Sequence, residues 1–372
     1  MKKYLEKNVY EALQDRLKFI FDNFDNIYVS FSGGKDSGLL LNMVLSYKRR
    51  NKIAKKIGVF HQDFEAQYQT TTDFVSRMFE NNLRDIEPYW VCLPMGSRCA
   101  VSNYQMYWYP WDPDKEELWV RPMPKMPYII NMDNNPFDFY RYKMVQEDLY
   151  AEFGEWYSRQ KKGKTICLLG IRADESLNRY RAYANDRKTI MQGNQWTTKM
   201  GENWWNAYPI YDWTTKDVWI ANGKFDYDYN RIYDLFWKAG LSISQMRVAS
   251  PYHESAKESL NLYRVLEPAT WVRVVSRVQG ANFGAIYGSS HALGARKIEL
   301  PPGHTWRSYV KFLLATLPEA MRRNYIEKFK TSIRFWWKKG GVVDEEAIKE
   351  LEACNYPIRH NGKSNYKSNK EK

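Results

Sequence analysis

A short apolar segment, Ile27 to Phe31, runs directly into Ser32-Gly33-Gly34-Lys35-Asp36-Ser37, and the apolar residues that follow, Leu39, Leu40, Met43, Val44 and Tyr47, recur at helical spacing. A strand that turns through Gly-Gly straight into a helix belongs to crossover topology, which constrains the chain to a parallel sheet covered by helices. The loop itself is a natural anion site: successive backbone N–H groups and the helix N-terminus converge there, and the glycines keep side chains out of the way. Lys35 adds a positive charge, Ser32 and Ser37 add hydroxyl donors, and Asp36 either caps the helix or helps hold magnesium near the phosphates. The spacing differs from the Walker A pattern. Taken alone, the same residues also describe a tight turn whose Asp and Ser merely cap a helix.

The rest of the N-terminal half repeats this grammar. Leu5, Val9, Leu13, Leu17 and Ile20 predict an amphipathic helix before the first strand. A second strand, Ile57 to Phe60, ends at His61-Gln62-Asp63, and a helix is expected from Ala66 to Asn82. Tyr89 to Leu93 and the clearly buried Thr165 to Ile171 complete the predicted strands. In such sheets ligands sit at the C-terminal strand ends, where Ser32 and Asp63 both lie. His61 and Asp63 are therefore candidate nucleoside contacts, or else an ordinary polar strand exit. The stretch from 95 to 136, rich in proline and aromatic residues, predicts an irregular insertion, either a lid or a packed excursion. Helices are expected over Arg231–Ala239, Ala256–Leu266, Ala269–Gln279, Thr305–Leu317 and Glu319–Lys338. The resulting organisation is a nucleotide-binding α/β domain over 1–225, a helical region over 226–358 and a basic, disordered tail over 359–372.

Charge and composition narrow the partners. With 56 Lys and Arg against 43 Asp and Glu, the net charge of +13 favours a polyanion, either a phosphorylated small molecule or a nucleic acid. The last predicted helix places Arg323, Lys330, Arg334 and Lys338 on one side, which reads as a solvated basic face or as a nucleic-acid contact. Four scattered cysteines, Cys92, Cys99, Cys167 and Cys354, are too few for a disulfide framework. Glu6, Glu11 and Asp15 interrupt any signal-peptide core, and no run of about 18 apolar residues suits a membrane. The expected location is cytoplasmic, with no membrane partner.

Three segments carry a family resemblance. Ser32 to Ser37 resembles the SxGxDS signature of the PP-loop superfamily of ATP pyrophosphatases and phosphoadenylylsulfate (PAPS) reductases. Gly170-Ile171-Arg172-Ala173-Asp174-Glu175-Ser176, followed by Arg179, is similar to the GxRxxES segment at a later strand end in the PAPS reductase branch. Tyr208-Pro209-Ile210-Tyr211-Asp212-Trp213 and then Asp217-Val218-Trp219 resemble a downstream segment of that branch. The subgroup looks like the PAPS reductase-like proteins typified by the immunoglobulin-binding regulator, relatives of the DNA-phosphorothioation sulfurtransferases.

The resemblance implies a Rossmann-like, adenine nucleotide α-hydrolase-like fold, an enzyme, and ATP or PAPS as substrate. It implies catalytic roles for Lys35, Asp36 and Arg172, and nucleotide contacts from the loop, Arg172, Glu175 and Arg179. Arg181 joins them on physical grounds, because Arg172, Arg179 and Arg181 all follow a buried strand and could meet a phosphate or sulfate; a solvated ion-pair network is the alternative. The departures matter as well. The nucleophilic C-terminal cysteine segment of true PAPS reductases has only Glu352-Ala353-Cys354-Asn355 in its place, and the cysteine pairs for iron–sulfur clusters are missing, so no cluster is expected. Two chemistries fit: adenylation with loss of pyrophosphate, or sulfonucleotide reduction or sulfur transfer with a thiol from a partner protein or other donor. A non-catalytic nucleotide sensor that binds DNA or a partner protein through the basic helical region is the reading from a different class.

Overall fold

The computed structural model describes residues 6–102, 104–185, 188–243, 245–254, 260–282, 300–339, 348–349 and 352–353. The first helix, α1 (Val9–Asn23), starts at a capping box between Asn8 and Glu11 and buries Leu13, Leu17 and Ile20, as its periodicity predicts. It leads into β1 (Asn26–Ser30), α2 (Lys35–Arg50), β2 (Ile57–Gln62), α3 (Gln69–Glu80) and β3 (Ile86–Val91). An irregular stretch follows, with the short hairpin β4 (Ser97–Arg98) and β5 (Tyr107–Trp108), a 3-10 turn at Pro113–Leu118 and β6 (Ile129–Ile130). Then come α4 (Gln146–Gln160), β7 (Thr165–Leu169), α5 (Leu177–Ala184), β8 (Thr197–Lys199) and β9 (Trp204–Ala207). The helices α6 (Thr215–Lys224), α7 (Ile232–Lys238), α8 (Leu262–Leu266), α9 (Pro268–Arg277), α10 (Trp306–Thr316) and α11 (Glu319–Lys339) complete the described elements.

The main sheet has seven strands in the order β6-β3-β2-β1-β7-β9-β8. Every pairing is parallel except β8 with β9. Strand direction and side-chain alternation divide the core into two faces. Ile27, Val29, Ile57, Val59, Ile166 and Leu168 pack on one side with α1, α2, α3 and α6. Tyr28, Phe60 and Cys167 point to the other, where Phe153, Trp156 and Tyr157 of α4 cover them. The chain crosses to β2 on one side of β1 and to β7 on the other, so the crevice at the C-terminal ends of β1 and β7 is the topological switch point.

The expected fold class holds: an α/β parallel sheet with crossover helices, followed by helices. The division of the chain differs from the predicted boundary near 225. One compact unit comprises residues 1–98 and 107–277, and the other 99–106 and 278–372. Long-range polar contacts are the reason, since they tie α7 and α9 to the sheet unit. Asn230 donates to the Gly33 carbonyl at 3.0 Å, Glu267 accepts from the Gln69 amide at the start of α3 at 2.9 Å, and Arg277 donates to Glu65 at 2.8 Å.

The insertion takes the form of a packed excursion. Its β6 extends the sheet beside β3, and the buried Trp111 donates its indole N–H to the Asp63 carbonyl at 3.0 Å. Among the described residues no helix is long and apolar enough to cross a membrane. Cys354 and the tail from 359 lie outside the described residues.

Candidate functional site

Gly33 and Gly34 form the turn between β1 and α2 for different reasons. Gly33 adopts φ +76°, a left-handed conformation that favours glycine, and a Cβ there would meet Val75 and Thr71 side-chain carbons at 3.0 and 3.1 Å. Gly34 is the helix N-cap at an ordinary φ of −83° and contributes no capping side chain. The first-turn amides of α2 consequently lack an acceptor from the N-cap side chain itself. The loop is braced from within: the Ser32 amide donates to Ser37 Oγ at 3.2 Å, the two hydroxyls lie 3.0 Å apart, and Ser37 Oγ donates to the Gly34 carbonyl at 3.2 Å.

The end of β7 meets this loop at closest approach. A Cβ on Gly170 would lie 2.8 Å from the Ser37 nitrogen and 3.0 Å from the Asp36 carbonyl carbon, so only glycine lets the two backbones touch. Two residues on, Arg172 is buried at 2% exposure, and its Nε donates to Asp36 Oδ1 at 2.7 Å. Its terminal nitrogens lie 4.0 Å from Asp174 and 3.9 Å from Glu175, and one of them also reaches the Trp213 carbonyl at 3.4 Å. Asp36 Oδ2 pairs with Lys35 Nζ at 3.1 Å. Glu175 in turn pairs with the half-exposed Arg179 at 2.8 Å, and Arg181 is exposed on α5. The structure thus brings together Lys35, Asp36, Arg172, Glu175 and Arg179 as one chain of alternating charge beneath and beside the loop. Within it, Arg172 is buried against Asp36, while Arg179 keeps an accessible guanidinium.

This network bears on magnesium. Asp36 has a cation on each carboxylate oxygen, so its charge is already neutralised by Lys35 and Arg172. It does not fit as the anionic anchor of a hard divalent ion in this arrangement, in which it holds the two cations.

Two contributors to the loop carry no local sequence signal. The Lys35 amide donates to the buried hydroxyl of Tyr233 at 3.0 Å, and Lys35 Nζ lies 5.6 Å from the centre of that ring. Burial, reinforced by the nearby Asp36 carboxylate, raises the Tyr233 phenol well above its ordinary range, so it stays a neutral hydroxyl. Asn230, wholly buried, donates to both the Gly33 carbonyl and Thr71 Oγ1. Asn230 lies just before α7 and Tyr233 in its first turn.

At the end of β2 the arrangement is of another kind. His61 is buried among Phe31, Phe79 and Trp90, with Nδ1 2.8 Å from the Phe31 carbonyl, and burial lowers its pKa despite Asp63. Its other nitrogen, Nε2, is buried with no hydrogen-bond partner among the described residues. Asp63 is fully buried; Arg121 bridges both carboxylate oxygens at 2.5 Å, and the Trp90 indole and the Glu65 amide add two donors. Burial opposes its ionisation, but Arg121 and His61 outweigh it and hold the carboxyl below the usual range. Asp63 therefore fastens the insertion to the sheet, and a nucleoside could reach it only by displacing Arg121. Glu65, two residues on, receives the Trp111 and Val120 amides and Arg277, a second clamp of the same sort.

The predicted basic face on α11 is ion-paired within its own helix. Arg323 meets Glu319 at 3.2 Å, and Lys330 and Arg334 lie 2.8 and 3.9 Å from Glu327. The Lys338 side chain lies outside the described residues. Such exposed pairs are worth little and leave less free charge than the sequence suggests.

A parallel sheet that opens at a glycine loop after its central strand, with a buried arginine from the adjacent strand locked under that loop, is the PP-loop-type, adenine nucleotide α-hydrolase-like fold. A family model described as a domain of unknown function, DUF3440, matches residues 240–372. Over 358 residues the chain is 35% identical to the uncharacterized protein YbdN of Escherichia coli strain K12, a match that spans 95% of this chain and 86% of the relative. The chain belongs to the YbdN family.

Among solved structures it is similar to the PAPS reductase of Candida auris, with a TM-score of 0.32 and 14% identity over 63% of this chain and 93% of that one. It is similar too to the FMN adenylyltransferase of Candida glabrata in complex with FMN and an ATP analogue, with a TM-score of 0.35 and 14% identity over 63% of each chain. For the U34-tRNA thiolase NcsA of Methanococcus maripaludis the score is 0.35, at 11% identity over 78% of this chain and 84% of that one. Scores of this size do not bear on function, and the fold class rests on the strand order and the loop.

Proposed function

We propose that the chain is a PP-loop enzyme that binds ATP with its phosphates over Ser32–Ser37 and transfers the adenylyl group to an acceptor oxygen. The observation that supports this best is the loop itself: a helix N-terminus behind Gly33-Gly34 with no N-cap side chain, with Lys35 at its edge and Arg179 on α5, which follows the neighbouring strand. In this reading the acceptor oxygen forms a bond to the α-phosphorus, and the bond to the bridging oxygen breaks. Pyrophosphate leaves with that electron pair, held by the loop amides and Lys35. Most of the catalysis comes from positioning and charge neutralisation, with Asp36 and Arg172 holding the lysine and the loop in register.

The sulfonucleotide alternative needs a thiolate. Among the described residues the three cysteines are all buried. Burial raises the Cys92 and Cys99 thiols and pushes Cys167 up to about 12. Neutral, inaccessible thiols are poor nucleophiles, so PAPS chemistry would draw its sulfur nucleophile from Cys354 or from a partner. The ion pairing along α11 likewise gives the DNA-binding sensor no specific support.

Calorimetric titration of Mg-ATP and, separately, PAPS into wild type and Gly34→Asp tests the reading. The variant suits the purpose because Gly34 has an ordinary φ, and an added Cβ meets nothing nearer than Ser32 Oγ at 3.5 Å. The chain should fold while the new carboxylate repels phosphate. Binding of Mg-ATP by wild type alone, with pyrophosphate release once the acceptor is supplied, is the expected result. Binding of PAPS in preference would move the assignment to sulfonucleotide chemistry, and a folded wild type that binds neither would remove both.

A further inference from the structure

Tyr233 has a second neighbour besides the loop. Its ring forms one wall of a pocket of about 210 Å³ lined by Trp219, Tyr229, Tyr233, Trp237, Asp234 and Met246, together with Ile243. Trp219 stands edge-on to both Tyr229 and Tyr233, with ring centres 5.4 and 5.2 Å apart. Trp237 leaves 64% of its surface in water, an unusual position for so large an apolar side chain. One anionic group completes the lining. Asp234 Oδ1 accepts from the Tyr229 hydroxyl at 2.9 Å, and among the described residues Oδ2 has the loose approach of Arg231 at 3.8 Å, which leaves it acceptor capacity.

The geometry points to this pocket as the subsite for a planar heteroaromatic ring bearing N–H donors, a purine or pyrimidine base, on the second substrate. The assignment rests on the adenylyl-transfer reading for its role and on the pocket for its chemistry. Four aromatic side chains offer faces and edges to a flat ring, and such stacking accepts any base. The single carboxylate selects a ring with amino or imino hydrogens and repels phosphates and carboxylates. At about 210 Å³ the pocket holds the base alone, below the roughly 300–1,000 Å³ typical of sites for drug-sized ligands, so a sugar and any phosphate would lie outside it. The shared residue places the two sites side by side, because Tyr233 touches the loop amide through its hydroxyl and the pocket through its ring.

Equilibrium dialysis of the full chain against guanosine, adenosine and cytidine tests the assignment, in wild type and in Trp237→Ala, Asp234→Asn and Gly34→Asp. Wild type is expected to bind at least one nucleoside saturably, and Trp237→Ala to weaken it by at least about fivefold, the loss of one stacking partner. Asp234→Asn should weaken the nucleosides with ring amino groups, and Gly34→Asp should leave binding unchanged. Displacement by a single-stranded oligonucleotide of the same base would identify a nucleic-acid strand as the source of the ring, and its failure a free nucleoside.

The inference is overturned if no nucleoside binds, or if Trp237→Ala and Asp234→Asn bind as wild type does. Loss of binding in Gly34→Asp also overturns it, by placing the ring in the loop's own nucleotide site. Nucleoside binding that persists in a protein blind to Mg-ATP would separate failure of the adenylyl-transfer reading from failure of the pocket.

Discussion

Removing Asp36 tests whether the charge network under the loop is a structural unit. Arg172 is 2% exposed and Asp36 13%, so Asp36→Ala strands a buried guanidinium whose remaining carboxylates stand 4.0 and 3.9 Å away. Breaking one partner of a buried pair costs about 3–5 kcal/mol, and the two residual carboxylates place this case near about 3 kcal/mol. At roughly 2–4 °C per kcal/mol for a domain of ordinary size, the unfolding midpoint should fall by about 6–12 °C. Arg172→Met should cost a similar amount, because it leaves Asp36, Asp174 and Glu175 with one fewer cation. Arg172→Lys should rescue little, since a single ammonium cannot replace a guanidinium that reaches Asp36 and the Trp213 carbonyl together.

The double variant Asp36→Ala/Arg172→Met removes both charges and should be less destabilised than the sum of the singles by at least about 1 kcal/mol. Urea denaturation followed by circular dichroism measures all of these. Single variants within about 0.5 kcal/mol of wild type, or strictly additive losses, would refute the argument.

Three further outcomes follow from the same physics. Gly170→Ala should destabilise by about 1–3 kcal/mol and weaken nucleotide binding, because its Cβ would press on backbone atoms of Asp36 and Ser37; calorimetry of both properties checks this. His61 has a depressed pKa in the fold, so the unfolded chain takes up a proton first as pH falls. Stability should therefore drop from about pH 7 downward with a slope of up to about 1.4 kcal/mol per pH unit, and denaturation of His61→Gln from pH 7 to 5 should show that component missing. Arg277→Met leaves Glu65 buried without its cation, which should cost about 3–5 kcal/mol and speed proteolytic cleavage within 95–136, read by limited proteolysis.

The loop was legible in the sequence because everything that makes it is local: an apolar strand, two glycines and a helix start within a dozen residues. Its lysine, aspartate and serines lie where that local geometry puts them. The buried strand Thr165–Leu169 and the arginine after it were legible for the same reason, since hydrophobic runs and their exits depend on neighbouring residues. The short β6 and the β8–β9 hairpin were not, because two to four residues carry no usable periodicity and become strands only beside an existing edge.

Contacts across the fold were invisible for a further reason. Tyr233 meets the Lys35 amide from 198 residues away, Asn230 meets Gly33 from 197, and Arg277 meets Glu65 from 212. Nothing in a tyrosine of a predicted helix distinguishes one that meets the Lys35 amide from one that fills a core. Asp63 shows the converse: a carboxylate at a strand end reads equally as a ligand contact or a polar strand exit until the fold supplies Arg121 and Trp90 as its partners. Local chemistry depends on adjacent residues and can be read along the chain, whereas the partner that satisfies a buried polar group is chosen by packing, and only the folded chain contains that choice.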